Sequence, residues 1–62
     1  MQKKWVKTSN GRTMMVKEYS DGDCFVYDTS GFFNKQIAST KSFADALAAV
    51  ENYTVGKVTK IE

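Results

Sequence analysis

The side chains that most often carry chemistry are scarce in this chain of 62 residues, which has no His, one Cys and no Pro. Histidine-based triads, His/Cys zinc clusters and internal disulfide frameworks are therefore excluded by count. Cys24 lies among strand formers and reads as a small, partly buried hydrophobe more than a reactive thiol. A lone thiol fits a reducing compartment, so a cytoplasmic location is expected. Asp21-Gly22-Asp23, with Glu18 and Asp28 nearby, offers oxygen ligands. It lacks the alternating ligands and terminal bidentate Glu of an EF-hand, and Asp-Gly is already explained by a tight turn. No metal and no cofactor is expected. No Gly-rich phosphate cradle, nucleophile elbow or HExxH is present, and so small a sheet offers little concavity in which to shift a carboxylate pKa. The expectation is a protein that is not an enzyme.

Binding is the remaining class. The net charge of +2 is small but unevenly spread. Residues 1–17 hold Lys3, Lys4, Lys7, Arg12 and Lys17 with no acid, and residues 18–31 hold Glu18, Asp21, Asp23 and Asp28 with no base. Two readings follow: a basic strip for phosphates or an acidic partner, or neighbouring strands that pair opposite charges across a sheet. Aromatic residues make up 13% of the chain, a level at which stacking on bases enters consideration. Tyr19, Phe25, Tyr27, Phe32 and Phe33 are the stacking candidates. The competing use of Trp5, Phe25, Tyr27, Phe43 and Tyr53 is as core, because a short domain needs large side chains to bury area. A nucleic-acid-binding domain using Lys3, Lys4, Lys7, Arg12 and Lys17 is the alternative reading, unsupported by any RNP, KH, zinc-knuckle or helix-turn-helix pattern.

The elements that must position these residues follow from turn signals and periodicity. Asn10-Gly11 separates Lys4–Thr8 from Thr13–Lys17, and Asp21-Gly22 separates Val16–Ser20 from Asp23–Asp28; both dipeptides are strong hairpin signals. Thr29-Ser30-Gly31 supplies a third turn, followed by a fourth strand over Phe32–Ala38. Ser42 with Asp45 three residues on makes a helix start resembling a capping box, and Phe43, Ala46, Leu47, Val50 and Tyr53 recur at helical spacing. Asn52, Tyr53 and Gly56 break that helix, and β-branched residues in Val55–Ile61 suit a short closing strand. Val58 and Ile61 differ in parity, so a regular strand does not turn both to the core. The expected architecture is one small domain, residues 1–62, of the α+β class: an antiparallel β-meander of three to four strands, one α-helix packed on one face, and room for a short C-terminal strand.

Two-residue turns at both dipeptides pair Lys7 with Met14, Trp5 with Val16 and Lys3 with Glu18, then Glu18 with Phe25 and Val16 with Tyr27. One face then carries Trp5, Val16 and Tyr27 bordered by Met14 and Phe25, the expected floor for the helix. The opposite face carries Val6, Met15, Tyr19, Cys24 and Val26 among Lys4, Lys17, Thr8, Thr13 and Asp28. One helix covers one face only, so the second is expected to be wet, covered by the C-terminal strand, or docked on a partner. The expected contact set for a protein partner is Lys4, Val6, Met15, Lys17, Tyr19 and Val26. A homodimer through this face would also enlarge the buried core. No apolar run is long enough to span a bilayer and no signal-peptide h-region follows the first lysines, so no membrane partner is expected and the mature chain is expected to begin near Met1.

Two layouts resemble known families. Phe25 to Tyr53 gives a strand, a Ser-Gly turn, a second strand and then Thr40-Lys41-Ser42-Phe43-Ala44-Asp45-Ala46, and it is similar to the arm-type, three-strands-plus-helix DNA-binding domains of phage integrases. Lys35 to Glu62, a strand, an Ala-rich helix, a Gly-containing turn and a strand, resembles the second half of small phage-encoded inhibitors of bacterial RNA polymerase. Each covers about half the chain and shares pattern more than specific residues. What the resemblances imply is a small accessory or inhibitor protein of a phage or mobile element, acting by occupying a host protein partner.

Overall fold

A computed structural model describes all 62 residues, Met1–Glu62. Five strands, β1 (Gln2–Thr8), β2 (Thr13–Glu18), β3 (Cys24–Asp28), β4 (Lys35–Thr40) and β5 (Val58–Ile61), and one helix, α1 (Phe43–Thr54), make an α+β fold. The sheet order is β4-β3-β2-β1-β5, with antiparallel pairing throughout. The first four strands form a meander, and α1 then crosses one face so that β5 closes the opposite edge beside β1. No helix is long and apolar enough to cross a membrane.

Both hairpins form where expected, with loops one residue longer than expected. Gly11 N donates to Thr8 O at 3.1 Å and Thr8 N to Arg12 O at 2.9 Å; Gly22 N donates to Tyr19 O at 3.0 Å and Tyr19 N to Asp23 O at 2.9 Å. Each loop thus has three residues, Ser9-Asn10-Gly11 and Ser20-Asp21-Gly22. Only the glycines take positive φ, +81° and +94°, whereas a two-residue type I′ turn would place Asn10 and Asp21 there too. Val6 accordingly pairs with Met14, Trp5 with Met15 and Lys4 with Val16; Val16 pairs with Val26 and Met15 with Tyr27. A shift of one residue moves every side chain of a strand to the other face. Met14 and Val16 keep their expected place under the helix, but β1 and β3 are inverted: Val6, Cys24 and Val26 face α1, and Trp5, Phe25 and Tyr27 face away from it.

The core is aliphatic: Val6, Met14, Val16, Cys24 and Val26 from the sheet meet Ala46 and Val50 of α1, all fully buried. Cys24 is deeper than expected, and burial pushes its thiol pKa up. The helix begins as the sequence predicts, with Ser42 Oγ accepting from Asp45 N at 3.1 Å. It ends at Val55, whose φ of 56° is left-handed and whose side chain is exposed. Two bulges solve packing problems. One sets Val26 against Ala38 and Tyr27 against Gln36, letting neighbouring Ile37 and Ala38 both pack on the core. The other, between Lys7 and Thr8, pairs Val6 with Ile61 and Thr8 with Val58, so residues of opposite parity share a face. The fourth strand starts at Lys35 rather than Phe32, which leaves Phe32 and Phe33 in the preceding loop.

The ends of these elements are tied at two points. Asn10 accepts from Thr8 Oγ1 and donates to Thr54 O at 2.6 Å, satisfying a carbonyl of the last helical turn. Ser9 exchanges hydrogen bonds with Lys57, donating from its backbone at 2.7 Å and accepting at Oγ at 3.1 Å. Asp28 is the second point: Oδ1 accepts from Ser30 N (3.0 Å) and Ser30 Oγ (2.6 Å), and Oδ2 from Tyr53 Oη (2.7 Å) and Arg12 Nη2 (3.3 Å). These donors, Ser30 foremost, lower its pKa to about 2, and the hydrogen bond to Asp28 in turn raises that of Tyr53.

Because the folded pKa of Asp28 lies below its unfolded value, its stabilisation is complete above about pH 4 and is lost as pH falls through about 2. Asp28→Asn should cost about 1–2 kcal/mol at pH 7. Urea unfolding of the two proteins should converge between about pH 4 and pH 2. At the helix end, a β-branched residue in the left-handed region is strained. Val55→Gly should therefore stabilise the fold by about 0.5–1 kcal/mol, read as a rise in Tm of a few degrees.

Candidate binding surface on the open face of the sheet

The face opposite α1 can be laid out from the register, since paired residues share a face and rows recur every second residue. One row crosses the sheet as Glu62, Trp5, Met15, Tyr27 and Gln36, with Trp5 and Glu62 exchanging backbone hydrogen bonds at 2.8 and 2.9 Å. Towards one end the next row carries Lys3, Lys17, Phe25 and Ser39. Towards the other lies Lys60, Lys7 and Thr13. Each lysine row lies roughly 7 Å from the Trp5 row, two residues of strand rise.

Met15 is only 2% exposed although no helix covers this face. Trp5 and Tyr27 stand directly opposite it on the flanking strands and share its face. Trp5 remains 40% exposed. The other rings have partners: Lys17 Nζ lies 5.0 Å from the Tyr27 ring centroid, and Tyr19 meets Phe25 edge-on at 5.5 Å and 87°.

The charges are unusual for a sheet. Lys3 stands directly opposite Lys17, and Lys7 directly opposite Lys60, so two pairs of like charge bracket the aromatic row. Like charges directly opposite one another destabilise a sheet. Glu62 alone relieves one pair, with Oε1 3.1 Å from Lys7 Nζ and 3.5 Å from Lys60 Nζ, and these contacts hold its pKa below the usual carboxylate range. Lys3 and Lys17 have no acid partner. Elsewhere opposite charges do meet: Lys4 with Glu18 at 3.0 Å, Arg12 with Asp28 at 3.3 Å and Lys41 with Asp23 at 3.1 Å. The blocks of charge along the chain thus neutralise each other on the helix side and at the loops, and lysine accumulates on the open face.

The six residues expected to meet a protein partner do not form one surface. Met15, Lys17 and Tyr19 belong to the open face, but Val6 and Val26 are fully buried beneath α1. Lys4 also lies on the helix side, paired with Glu18 and 4.4 Å above the Phe43 ring. The correction has one cause, the longer hairpin loops, which turn the even-numbered residues of β1 and β3 inward. Of the basic set, Lys3, Lys7 and Lys17 share the open face; Lys4 and Arg12 do not, Arg12 lying 5.8 Å from the Tyr53 ring beside Asp28. Trp5 and Lys60 join the surface unexpectedly, and Tyr27, a stacking candidate expected beneath the helix, lies on the open face instead. The signal for Trp5 and Tyr27 is the shared Ser-Asx-Gly of both loops, which places Gly at the last position of a type I turn and adds a residue. Lys60 is placed only by the bulge.

Asp21 Oδ1 accepts from Asp23 N at 3.1 Å, a turn-stabilising contact, so Asp21-Gly22-Asp23 does the structural work its sequence predicts. A shallow recess of about 500 Å³ lined by Met1, Gln2, Lys4, Glu18, Tyr19 and Ser20 holds one carboxylate already paired with a lysine. Comparisons of the chain with protein-family models, curated proteins and solved structures return no match.

Relieving the repulsion between Lys3 and Lys17 should stabilise the fold. Lys3→Glu is expected to raise unfolding free energy by a few tenths of a kcal/mol at low ionic strength, and the gain should vanish near 1 M salt, where the Debye length falls to about 3 Å. Urea titrations at the two salt concentrations measure both.

Proposed function

We propose that this protein is a non-enzymatic binding module that holds nucleic acid against the open face of its sheet. The observation that carries the reading is the pair of lysine pairs, Lys3 with Lys17 and Lys7 with Lys60, set on either side of an aromatic row. Repulsion of this kind is a cost in the free protein and is relieved when phosphates enter between the ammonium groups. The four lysines are spread over three neighbouring strands, β2, β1 and β5, which suits an extended polyanion better than a small ligand.

A second reading, a phage or mobile-element accessory or inhibitor protein that occupies a host protein partner, draws on another observation. Phe32 and Phe33, with ring centroids 5.0 Å apart, are 95% and 80% exposed in the β3–β4 loop. Exposed aromatics of this kind mark many protein contacts. That loop lies outside the lysine-bearing strands, so the two readings predict different sensitive residues.

Fluorescence anisotropy of a labelled oligonucleotide separates them. Affinity should fall steeply with salt, with a log–log slope of about −3 if four lysines each neutralise a phosphate of a single strand. Lys17→Ala and Lys60→Ala should each weaken binding and flatten that slope by about 1, and a Phe32→Ser/Phe33→Ser variant should bind as the wild type does. No affinity at low salt, or affinity without a salt slope, overturns the first reading.

A further inference from the structure

Resting on that reading, we infer that the nucleic acid is bound as a single strand lying along β1, with one base stacked on the outward face of Trp5 and its flanking phosphates on the two lysine pairs. Trp5 is singled out by what its neighbours lack. Lys17 occupies the Tyr27 ring and Tyr19 packs on Phe25, whereas Trp5 has neither a ring nor a cation against it. Trp5 stands opposite the buried Met15 and is itself 40% exposed, so part of the indole is open to a ligand.

The order of the groups follows that of a polynucleotide strand, and the long lysine side chains reach inward across the roughly 14 Å between the two rows. Every internal base lies between two phosphates, and Trp5 lies between two lysine pairs on one line, with Lys3 and Lys7 two residues before and after it on the same strand. Lys17 and Lys60 flank that line from β2 and β5. Lys17 leaves the Tyr27 ring to reach a phosphate, and Glu62 releases Lys7 and Lys60. Glu62 is therefore a built-in competitor with the ligand for these two lysines.

A duplex fits this surface poorly. The major groove is about 12 Å wide and admits a helix or a two-stranded ribbon. Five strands at about 4.8 Å spacing make a sheet about 19 Å across between its outer strands. Trp5, on β1, has β5 on one side and β2, β3 and β4 on the other, so neighbouring strands meet the sugar-phosphate backbone before its ring reaches a base edge. A single strand has no such constraint, and its bases are free to stack.

Trp5 is the one tryptophan of the chain, so intrinsic fluorescence reads this site directly. The full chain is titrated at fixed low salt with oligothymidylate, with oligouridylate, with a DNA duplex of equal length and with polyglutamate. Saturable quenching by either single strand, with affinity at least about tenfold above that for the duplex, supports the inference, and the stronger of the two identifies the sugar. Trp5→Leu, which keeps an apolar side chain opposite Met15 without a π face, should lose about tenfold or more in anisotropy titrations. Trp5→Phe should retain most of the affinity and serves if the leucine variant does not fold. Glu62→Gln should tighten binding a few-fold by freeing Lys7 and Lys60. Equal binding of duplex and single strand with no quenching overturns the stacking inference and leaves nucleic-acid binding standing. Polyglutamate binding as tightly as oligothymidylate overturns both.

Discussion

Everything on the two faces of this sheet depends on the positive φ of two glycines. Gly11 and Gly22 close three-residue loops by the same hydrogen-bond pattern, and each loop sets the register of the hairpin it joins. Because side chains alternate with a period of two, the parity of loop length decides which half of β1 and β3 is packed and which is presented. The compact valines and Cys24 go under the helix, where they close-pack against Ala46 and Val50. The bulky rings go to the other side with the lysines. A loop shorter by one residue would place Trp5 and Tyr27 beneath α1 and leave Val6 and Val26 outside.

The same loops also anchor the helix. Ser9 and Asn10 reach the helix C-terminus and the start of β5, so the first hairpin determines where the last element docks. Gly56 allows that approach, since a Cβ there would lie 2.6 Å from Asn10 Oδ1. Across the fold, Asp28 gathers Ser30, Arg12 and Tyr53, joining the end of β3 to the first loop and the last helical turn. A core of seven fully buried residues is small, and in so short a chain such polar ties supplement what apolar burial provides. The open face has the opposite character: its lysine pairs oppose one another, and its largest ring is left half covered. Features that weaken a free protein and favour a charged partner commonly mark the surface where binding occurs.

Much of the fold was legible in advance from local chemistry. Ser42 and Asp45 mark the helix start, because capping needs only a side-chain oxygen within one turn of the orphan amides. The strand segments and both hairpins follow from alternation and from Asx-Gly. The closing strand was legible in composition, although Val58 and Ile61 share a face only through a bulge that depends on β1. The candidate site was legible in part. Met15, Lys17 and Tyr19 belong to the expected protein-contact set together with Val6, Val26 and Lys4, and Lys3, Lys7 and Lys17 to the expected nucleic-acid set together with Lys4 and Arg12. The register turns Val6, Val26 and Lys4 to the helix side, and Arg12 sits beside Asp28.

The amino-acid sequence by itself determined which segments are strands and which is the helix, where the chain turns, and that basic and aromatic side chains crowd the first two hairpins. These are short-range properties, set by backbone preferences and by contacts within a few residues. Tertiary structure decided which face is which. A register is a relation between two strands, and a bulge or a loop one residue longer changes it without changing either strand. Whether Lys7 meets Lys60, or Trp5 lies between two lysine pairs, depends on strands more than fifty residues apart being brought side by side. That distance is spanned only when α1 crosses the sheet and packs its Ala46 and Val50 on the valines beneath.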